Sequence, residues 1–457
     1  MQQTRRTLSL QELRSLIHRD EVDTVLAVFP DMLGRWMGKR VTGRFFLDSV
    51  AGHGAHACAY LLTVDMEMEP VQGYELTSWE KGYGDFKMLP DLSTLRLLPW
   101  EPKTALVICD LELEDGGPVE ASPRQILKRQ IARAEKMGYS FQTASELEFY
   151  IFKDSFDGAR RKNYHQLEPI GSYIEDYHIL QGAKEEFLVR EIRNQMEAAG
   201  VPVECSKGEW GFGQQEINLR YAHPLEMADR HTIYKHGAKE IAIQKEASVT
   251  YMAKPDSKSA GSSFHLHSSL WDAKVKKNMF WDARAAAPTR LFEQALAGQM
   301  ALARDFSIFF APTINSYKRY QATTFAPTKI AWARDNRTCG FRVVGEKSSL
   351  RIENRIPGAD ANPYLAFAAA IASALYGMEK KLKLAPEFHG DAYHASDLPE
   401  VPKSLAAAAD CWERSAAALA AFGADVHRHY LHAARMEQKS FDGAVTCWEL
   451  SRYFERI

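Results

Sequence analysis

The sequence predicts an α+β protein of two domains, in which a mixed and largely antiparallel sheet carries its helices on the outside. Three observations lead there. The chain has 457 residues, 46% of them hydrophobic, which is enough for a large core and too long for one ordinary domain. Strand-like segments outnumber simple strand–helix–strand units. A loop-rich stretch ending at Pro99 and Pro102 interrupts the pattern and sets an expected division into residues 1–102 and 103–457.

Taken in order, Leu8, Leu10, Leu13, Leu16 and Ile17 recur at helical spacing, and Val22 to Phe29 is a β-branched and aromatic run. A helix followed by a strand is expected. The two glycines of Asp31-Met-Leu-Gly-Arg-Trp-Met-Gly-Lys-Arg-Val mark a turn into a second strand. Beyond the division, Leu106 to Leu113 and Phe141 to Phe152 read as strands, flanking a helix Pro123 to Lys136 opened by Ser122. Glu186 to Ala199, Ala228 to Ala247, Ala361 to Lys383 and Ala406 to Arg435 read as helices. Val201 to Cys205, Gln215 to Tyr221, Thr250 to Ala253, His265 to Trp271 and Ser349 to Arg355 read as strands.

The 57 basic and 59 acidic residues leave a formal charge of -2, which provides no footprint for nucleic acid or an anionic membrane. Met1 to Arg14 lacks the apolar segment of a secretory signal. The apolar stretch Ala366 to Met378 is shorter than the ~20 residues of a membrane span and suits a buried helix. Cytoplasmic residence is expected. Cys58, Cys109, Cys205, Cys339, Cys411 and Cys447 are scattered without framework spacing, so they read as reduced thiols, chiefly small core residues.

Four segments carry chemistry. Glu146 and Glu148 lie two apart on a strand and so point to one face. Glu209 and Glu216 flank a glycine-bearing turn that can bring them together. His265 and His267 repeat the two-residue spacing, and Arg351, Glu353 and Arg355 share a third strand face. Five carboxylates and two imidazoles form a hard-oxygen set that suits Mg2+ or Mn2+, with room for two ions. Lys318, Arg319, Arg334, Arg337, Arg342 and Lys347 add the cations that phosphoryl transfer requires, whereas no Walker-type loop is present. His427, His429 and His432 fall on an Ala-rich helix away from these motifs and read as a solvated or interface face.

In order and spacing, Asp31-x-x-Gly34, Met88-Leu-Pro-Asp91-x-Ser93-Thr94, Glu146-x-Glu148-Phe149, Gly213-Gln-Gln-Glu216, Lys254-Pro255, His265-x-His267, Asn315-Ser-Tyr-Lys-Arg319, Asn336-Arg337, Arg351-Ile-Glu353-x-Arg355 and Asn362-Pro-Tyr-Leu365 resemble the glutamine synthetase family over nearly the whole chain. The resemblance implies a small β-grasp-like N-terminal domain, a catalytic domain with a curved antiparallel sheet, and a homo-oligomer of two stacked rings, a dodecamer, with active sites between subunits. It implies one metal on Glu148, Glu209 and Glu216 and another on Glu146, His265 and Glu353, giving two or more Mg2+ or Mn2+ ions per site. Glutamate would meet Glu148, Gly261, Arg319 and Arg355. ATP, the co-substrate, would meet Glu204, Tyr221, His267, Ser269, Arg337, Arg342 and Lys347, with Arg337 also catalytic. Asp31, contributed from the neighbouring subunit, and Asp85 would act as catalytic residues on the amine, in a pocket shared with Tyr173, Trp210 and Phe325.

The departures from the family pattern point to a branch. Ammonia-using members carry a glutamate six residues after the arginine that matches Arg319, and here that position is Phe325, which cannot take a proton. An apolar ring there suits an alkyl or aryl group. Gly34-Arg-Trp-Met-Gly38-Lys39-Arg40 looks like the variant of the γ-glutamylamine ligases, which join glutamate to methylamine, isopropylamine, ethanolamine, polyamines or anilines through a γ-glutamyl phosphate. Ala260 replaces the usual asparagine of the glutamate site. Tyr393 does not directly precede Asp397-Leu-Pro, so adenylylation is not expected. The rival readings are an ammonia-using glutamine synthetase, a non-catalytic structural or sensing member of the fold, and a carboxylate–metal hydrolase without ATP.

Overall fold

The computed structural model describes residues 7–457, so the first part of the Met1 to Arg14 segment lies outside the described residues. The helix Leu10–His18 is opened by a capping box in which Ser9 and Glu12 satisfy each other's backbone N–H. A five-stranded sheet follows, built from β1 (Thr24–Pro30), β2 (Trp36–Thr42), β3 (Ala55–Cys58), β4 (Asp85–Leu97) and β5 (Thr104–Glu112) in the order β2-β1-β5-β4-β3. Within it β1 and β5 run parallel, and the other neighbours are antiparallel. These two central strands bury both faces. Val25, Ala27 and Phe29 pack into the sheet's own core with Ala105 and Val107, while the alternate Leu26, Val28, Leu106 and Ile108 join the core of the rest of the chain.

Because β5 lies between β1 and β4, the expected division at residue 102 separates two neighbouring strands of one sheet. The stretch before Pro99, which reads as loop in sequence, also holds β4. Pro90 is tolerated because β3 covers β4 only over Asp85 to Met88, so Pro90 lies beyond its partner on that side. The register slips between Asp91 and Arg96, which further hides the strand from a two-residue pattern.

The second sheet contains β6 (Tyr139–Phe152), β7 (Val203–Gly208), β8 (Gln214–Leu219), β9 (Ser248–Thr250), β10 (Phe264–Asp272), β13 (Trp332–Arg334), β14 (Phe341–Val344) and β15 (Arg351–Asn354). A short ribbon of β11 (Trp281–Asp282) and β12 (Ala287–Pro288) stands apart. The order is β13-β14-β15-β10-β6-β8-β7, with β9 on the far end of β6, and every pair except β13–β14 is antiparallel. The helix Pro363–Glu379 is buried almost throughout and crosses the helix Arg290–Ala301 where Gly298 faces Gly377. A Cβ on Gly298 would stand 2.1 Å from the Ser373 carbonyl, so only glycine permits this approach. Among the described residues no helix is long and apolar enough to cross a membrane.

The single helix expected from Ala406 to Arg435 is three: Leu405–Arg414, Ala416–Phe422 and Ala424–Asp442. Ser415 caps the second and bonds Asp305, and Gly423 turns at φ 84°. The histidines of the third helix are not a solvated face. His427 is buried against Trp412, His429 lies between Met32 and Tyr74, and His432 reaches the Gln72 carbonyl, because the N-terminal sheet's loops cover that side. All six cysteines are free; Cys109 and Cys339 are core residues, but Cys205 and Cys447 are exposed.

Asn362 ties the two sheets' regions together. Its Oδ1 accepts from the Tyr364 N–H, capping the long helix, while its Nδ2 donates to the carbonyls of Asp31 and Met32 at 3.0 and 3.1 Å. Asn362→Ala should cost about 2 kcal/mol, from a lost cap and a Met32 carbonyl left without its donor, while the Asp31 carbonyl keeps the Gly34 N–H at 3.0 Å. Chemical denaturation measures this, and a midpoint equal to the wild type would refute it.

Candidate active site

Strand register assembles the site. Glu148 on β6 lies opposite Glu216 on β8, which in turn lies opposite Lys207 on β7. Glu146 on β6 faces His265 on β10, His267 faces Glu353 on β15, and Glu353 faces Arg342 on β14. Because every second side chain shares a face, these rows, His267 excepted, project into one cleft of about 410 Å³. All six expected metal ligands line it, with Gly261, Arg319, Arg337, Arg342, Arg355, Trp210 and Phe325.

The carboxylates form two kinds of environment. Glu148, Glu209 and Glu216 bring one oxygen each within 4.8 Å of one another. Burial and then Glu209 push Glu148 up to about 7; burial and then Glu216 push Glu209 to about 7; burial and then Glu146 push Glu216 to about 8. Such crowding calls for a cation. Glu148 is held by the Ser263 N–H at 2.9 Å, by the Ser263 hydroxyl, and by Gln214 Nε2 at 3.1 Å, which also donates to the Gly261 carbonyl.

The second cluster is already balanced. Against the push of burial, Arg355, His265 and His267 hold Glu353 at about 2, and the two histidines hold Glu146 well below the usual carboxylate range. His267 Nε2 stands 2.9 Å from Glu146, whereas His265 Nδ1 is 3.4 Å from Glu146 and 3.8 Å from Glu353. Burial and Arg355 lower His265 to about 4, so it offers a neutral, ligating nitrogen. Two groupings meet ligand spacing here, Glu146–Glu216–His265 and Glu146–His267–Glu353, so His267, expected at the nucleotide, stands equally close to the ligand set.

A neighbouring cavity of about 350 Å³ shares Glu146 and Asn218 with the cleft. Of the residues expected at ATP, Glu204, Tyr221, His267 and Ser269 line it. Arg337 and Arg342 line the cleft instead, and Lys347 is exposed next to Ser348 and Ser349 of the cavity wall. Arg319 is buried, and two of its nitrogens donate to the Ile356 and Arg355 carbonyls at 2.9 and 2.8 Å, which fixes the guanidinium in the cleft wall. A Cβ at Gly261 would stand 2.6 Å from Arg319 Cγ.

Trp210 and Phe325 are half exposed at the mouth, their ring centroids 6.2 Å apart and edge to face. The Phe325 carbonyl accepts from Arg355 Nη2 at 3.3 Å. Three further residues lie outside the cleft. Tyr173 is exposed, 5.2 Å beneath the Lys184 ammonium, while Asp176 and Tyr177 of the same segment do line it. Asp85 is exposed at the start of β4.

Within its own chain the Asp31 carboxylate is engaged by its own loop. It is 2% exposed, and its oxygens take the Leu33 and Arg35 N–H groups at 2.9 and 2.8 Å and Arg35 Nε at 2.7 Å, an arrangement that shapes the β1–β2 turn. Sequence reasoning passes over Lys207 and Ser263 in the cleft and takes Gln214 only as part of a motif, while Arg351, expected on one face with Glu353 and Arg355, lines the adjoining cavity and donates to His267 Nδ1 at 3.2 Å. The available signal for Lys207 is its two-residue spacing from Glu209.

Residues 120–453 match the family model for the glutamine synthetase catalytic domain. The chain is 49% identical over 450 residues to gamma-glutamylethanolamide synthetase GlnA4 of Streptomyces coelicolor, spanning 98% of this chain and 96% of that one. It is 37% identical over 451 residues to a glutamate–isopropylamine ligase of a Pseudomonas species, with 98% of each covered. A solved structure of GmaS in complex with ADP superimposes with a TM-score of 0.85 at 26% identity, covering 97% of this chain and 100% of that one. With a glutamate-rich double cluster on an antiparallel sheet and a family match over most of its length, this chain belongs to the glutamine synthetase family.

Proposed function

We propose that the protein is a cytoplasmic, ATP-dependent ligase that joins the γ-carboxylate of glutamate to a small organic amine. The observation that carries this reading is the Trp210–Phe325 aromatic pair beside Arg355, where an incoming nucleophile meets apolar rings instead of a proton-accepting carboxylate. Relatives that use ethanolamine and isopropylamine support it.

The donor sets fit divalent cations, because three crowded carboxylates with raised pKa values call for more positive charge than the one ammonium of Lys207 supplies, and hard oxygen with imidazole suits Mg2+ or Mn2+. In this reading Glu148, Glu209 and Glu216 hold one ion, and Glu146, Glu353 and a histidine hold another. When bound, the ions supply charge neutralisation for the phosphates. Arg319 takes the glutamate α-carboxylate, and Arg355 holds the γ-carboxylate, orienting it toward the nucleotide in the adjoining cavity. A γ-carboxylate oxygen bonds to the terminal phosphorus as the bond to ADP breaks, with Arg337 and Arg342 drawn to the transferring group. The amine nitrogen then bonds to the acyl carbon, phosphate departs, and the amine loses a proton.

A ring assembly belongs to the same proposal. Asp85, exposed and outside this chain's own cleft, is the carboxylate that a neighbouring copy can offer to the amine. The fold also suggests moving the division between domains to the end of β5, which completes the first sheet.

Phosphate release with glutamate and ATP fixed, measured across ammonium, methylamine, ethanolamine, putrescine and aniline, tests the reading. An organic amine should give the largest kcat/KM. A clear preference for ammonium would overturn it, and no release with any amine would favour a non-catalytic protein. Phe325→Glu should shift the ratio of ammonium to amine kcat/KM upward by about tenfold or more, since it places a charge partner at the mouth. An unchanged ratio would mean that the pocket is set elsewhere.

A further inference from the structure

One cation already sits inside the cluster of Glu148, Glu209 and Glu216. Lys207 on β7 directly faces Glu216 across the ladder, its ammonium 3.6 Å from Glu216 and hydrogen-bonded to Glu209. Its side chain is only 19% exposed. The register that lines up Lys207, Glu216 and Glu148 in one row points the ammonium at two of the three ligand residues.

A second resting place is built beside it. The Tyr177 ring lies 4.7 Å from Lys207 Nζ, and Tyr177 is held at φ 69° with its N–H on the Gly208 carbonyl. The segment is pinned from behind, where Gln215 Nε2 donates to the buried carboxyls of Glu175 and Glu185 at 2.8 and 2.9 Å. The ammonium is thus flanked by the carboxylates on one side and an aromatic face on the other.

We propose that Lys207 is a resident counter-cation of this cluster that competes with the divalent ion and so lowers the site's affinity for it. A divalent cation and an ammonium cannot both take the Glu209 oxygen at bonding distance without strong repulsion in a poorly solvated cleft. The metal must therefore share or displace the lysine, whose ammonium then leans on the Tyr177 ring. The consequence is a site that stays folded while empty and fills only when the metal is plentiful. This rests on the reading of the cluster as a metal site.

Mn2+ binding to the substrate-free enzyme, followed by electron paramagnetic resonance of the free ion, tests it in the wild type, K207Q and K207R. Glutamine keeps a hydrogen bond to Glu209 but removes the charge. K207Q should bind Mn2+ about tenfold more tightly at the tightest site, with K207R close to the wild type. Equal or weaker Mn2+ binding by K207Q overturns the proposal, as does K207R matching K207Q. If K207Q does not fold, K207M takes its place with the same expectation. A wild type that binds no Mn2+ would instead overturn the metal-site reading itself.

Discussion

Replacing Glu353 by alanine should reduce kcat by about three orders of magnitude or more with every amine. Its carboxylate is crowded with partners: Glu353 is fully buried, bonded to Arg355, 2.9 Å from Arg342 Nη1, and cross-strand from His267. Its removal strips a proposed metal ligand and simultaneously frees Arg355 from the orientation in which it would hold the γ-carboxylate. It also leaves the guanidiniums of Arg342 and Arg355 without their shared carboxylate, a structural cost on the order of 3–5 kcal/mol. Glu353→Gln separates the effects, because the amide keeps the shape and loses the charge. If this amide variant retains near wild-type thermal stability yet loses activity as the alanine variant does, the charge serves the reaction. Retention of a tenth or more of wild-type kcat in either variant would reduce Glu353 to a structural anchor. Since its carboxyl is held at about 2, it contributes no titration to a pH–rate profile above about pH 5.

How much of this is legible in the sequence depends on period versus register. The two-residue spacing of Glu146/Glu148 and His265/His267 is a property of one strand and survives intact, whereas in the row Arg351/Glu353/Arg355 the last arginine lies just beyond the end of β15. Which residue stands opposite which is decided between strands that are far apart in sequence, as for Glu146 and His265, and no local pattern encodes it. Lys207 illustrates the difference: it is an ordinary residue type, and only its place opposite Glu216 makes it unusual. Asp31 shows the reverse. Its motif suggests a carboxylate aimed at the amine of a neighbouring subunit, while within its own chain the loop N–H groups and Arg35 bond to it, partners that no local pattern announces. In β4 the proline, normally a strand breaker, misleads because its tolerance depends on how far β3 extends.

The metal-free protein should lose stability as pH rises from about 6 to 8.5, by about 3 kcal/mol, and saturating Mg2+ should remove most of that dependence. Glu148 and Glu209 sit at about 7 and Glu216 at about 8 in the folded chain, raised by burial first and by neighbouring glutamates second. In the unfolded chain they titrate in the ordinary carboxylate range, near about 4.3. The folded state therefore holds more protons between those limits, so stability is fully present below the unfolded pKa and falls as pH climbs through about 7 to 8. Each tenfold gain in proton affinity on folding is worth about 1.4 kcal/mol, and the three groups together exceed the stated figure before the neighbouring Lys207 and residual hydration reduce it. A divalent cation replaces those protons, so binding should release them, and calorimetry in two buffers of different ionisation enthalpy counts how many. Thermal melts in EDTA across this range are the direct measurement, with a fall of a few degrees expected. A melting temperature independent of pH in EDTA, or an equal slope with Mg2+ present, would mean that the three carboxylates are not the crowded cluster the geometry describes. The same melts in Glu216→Gln, which removes one charge at the centre of the row from Lys207 to Glu148, should show a shallower slope than the wild type.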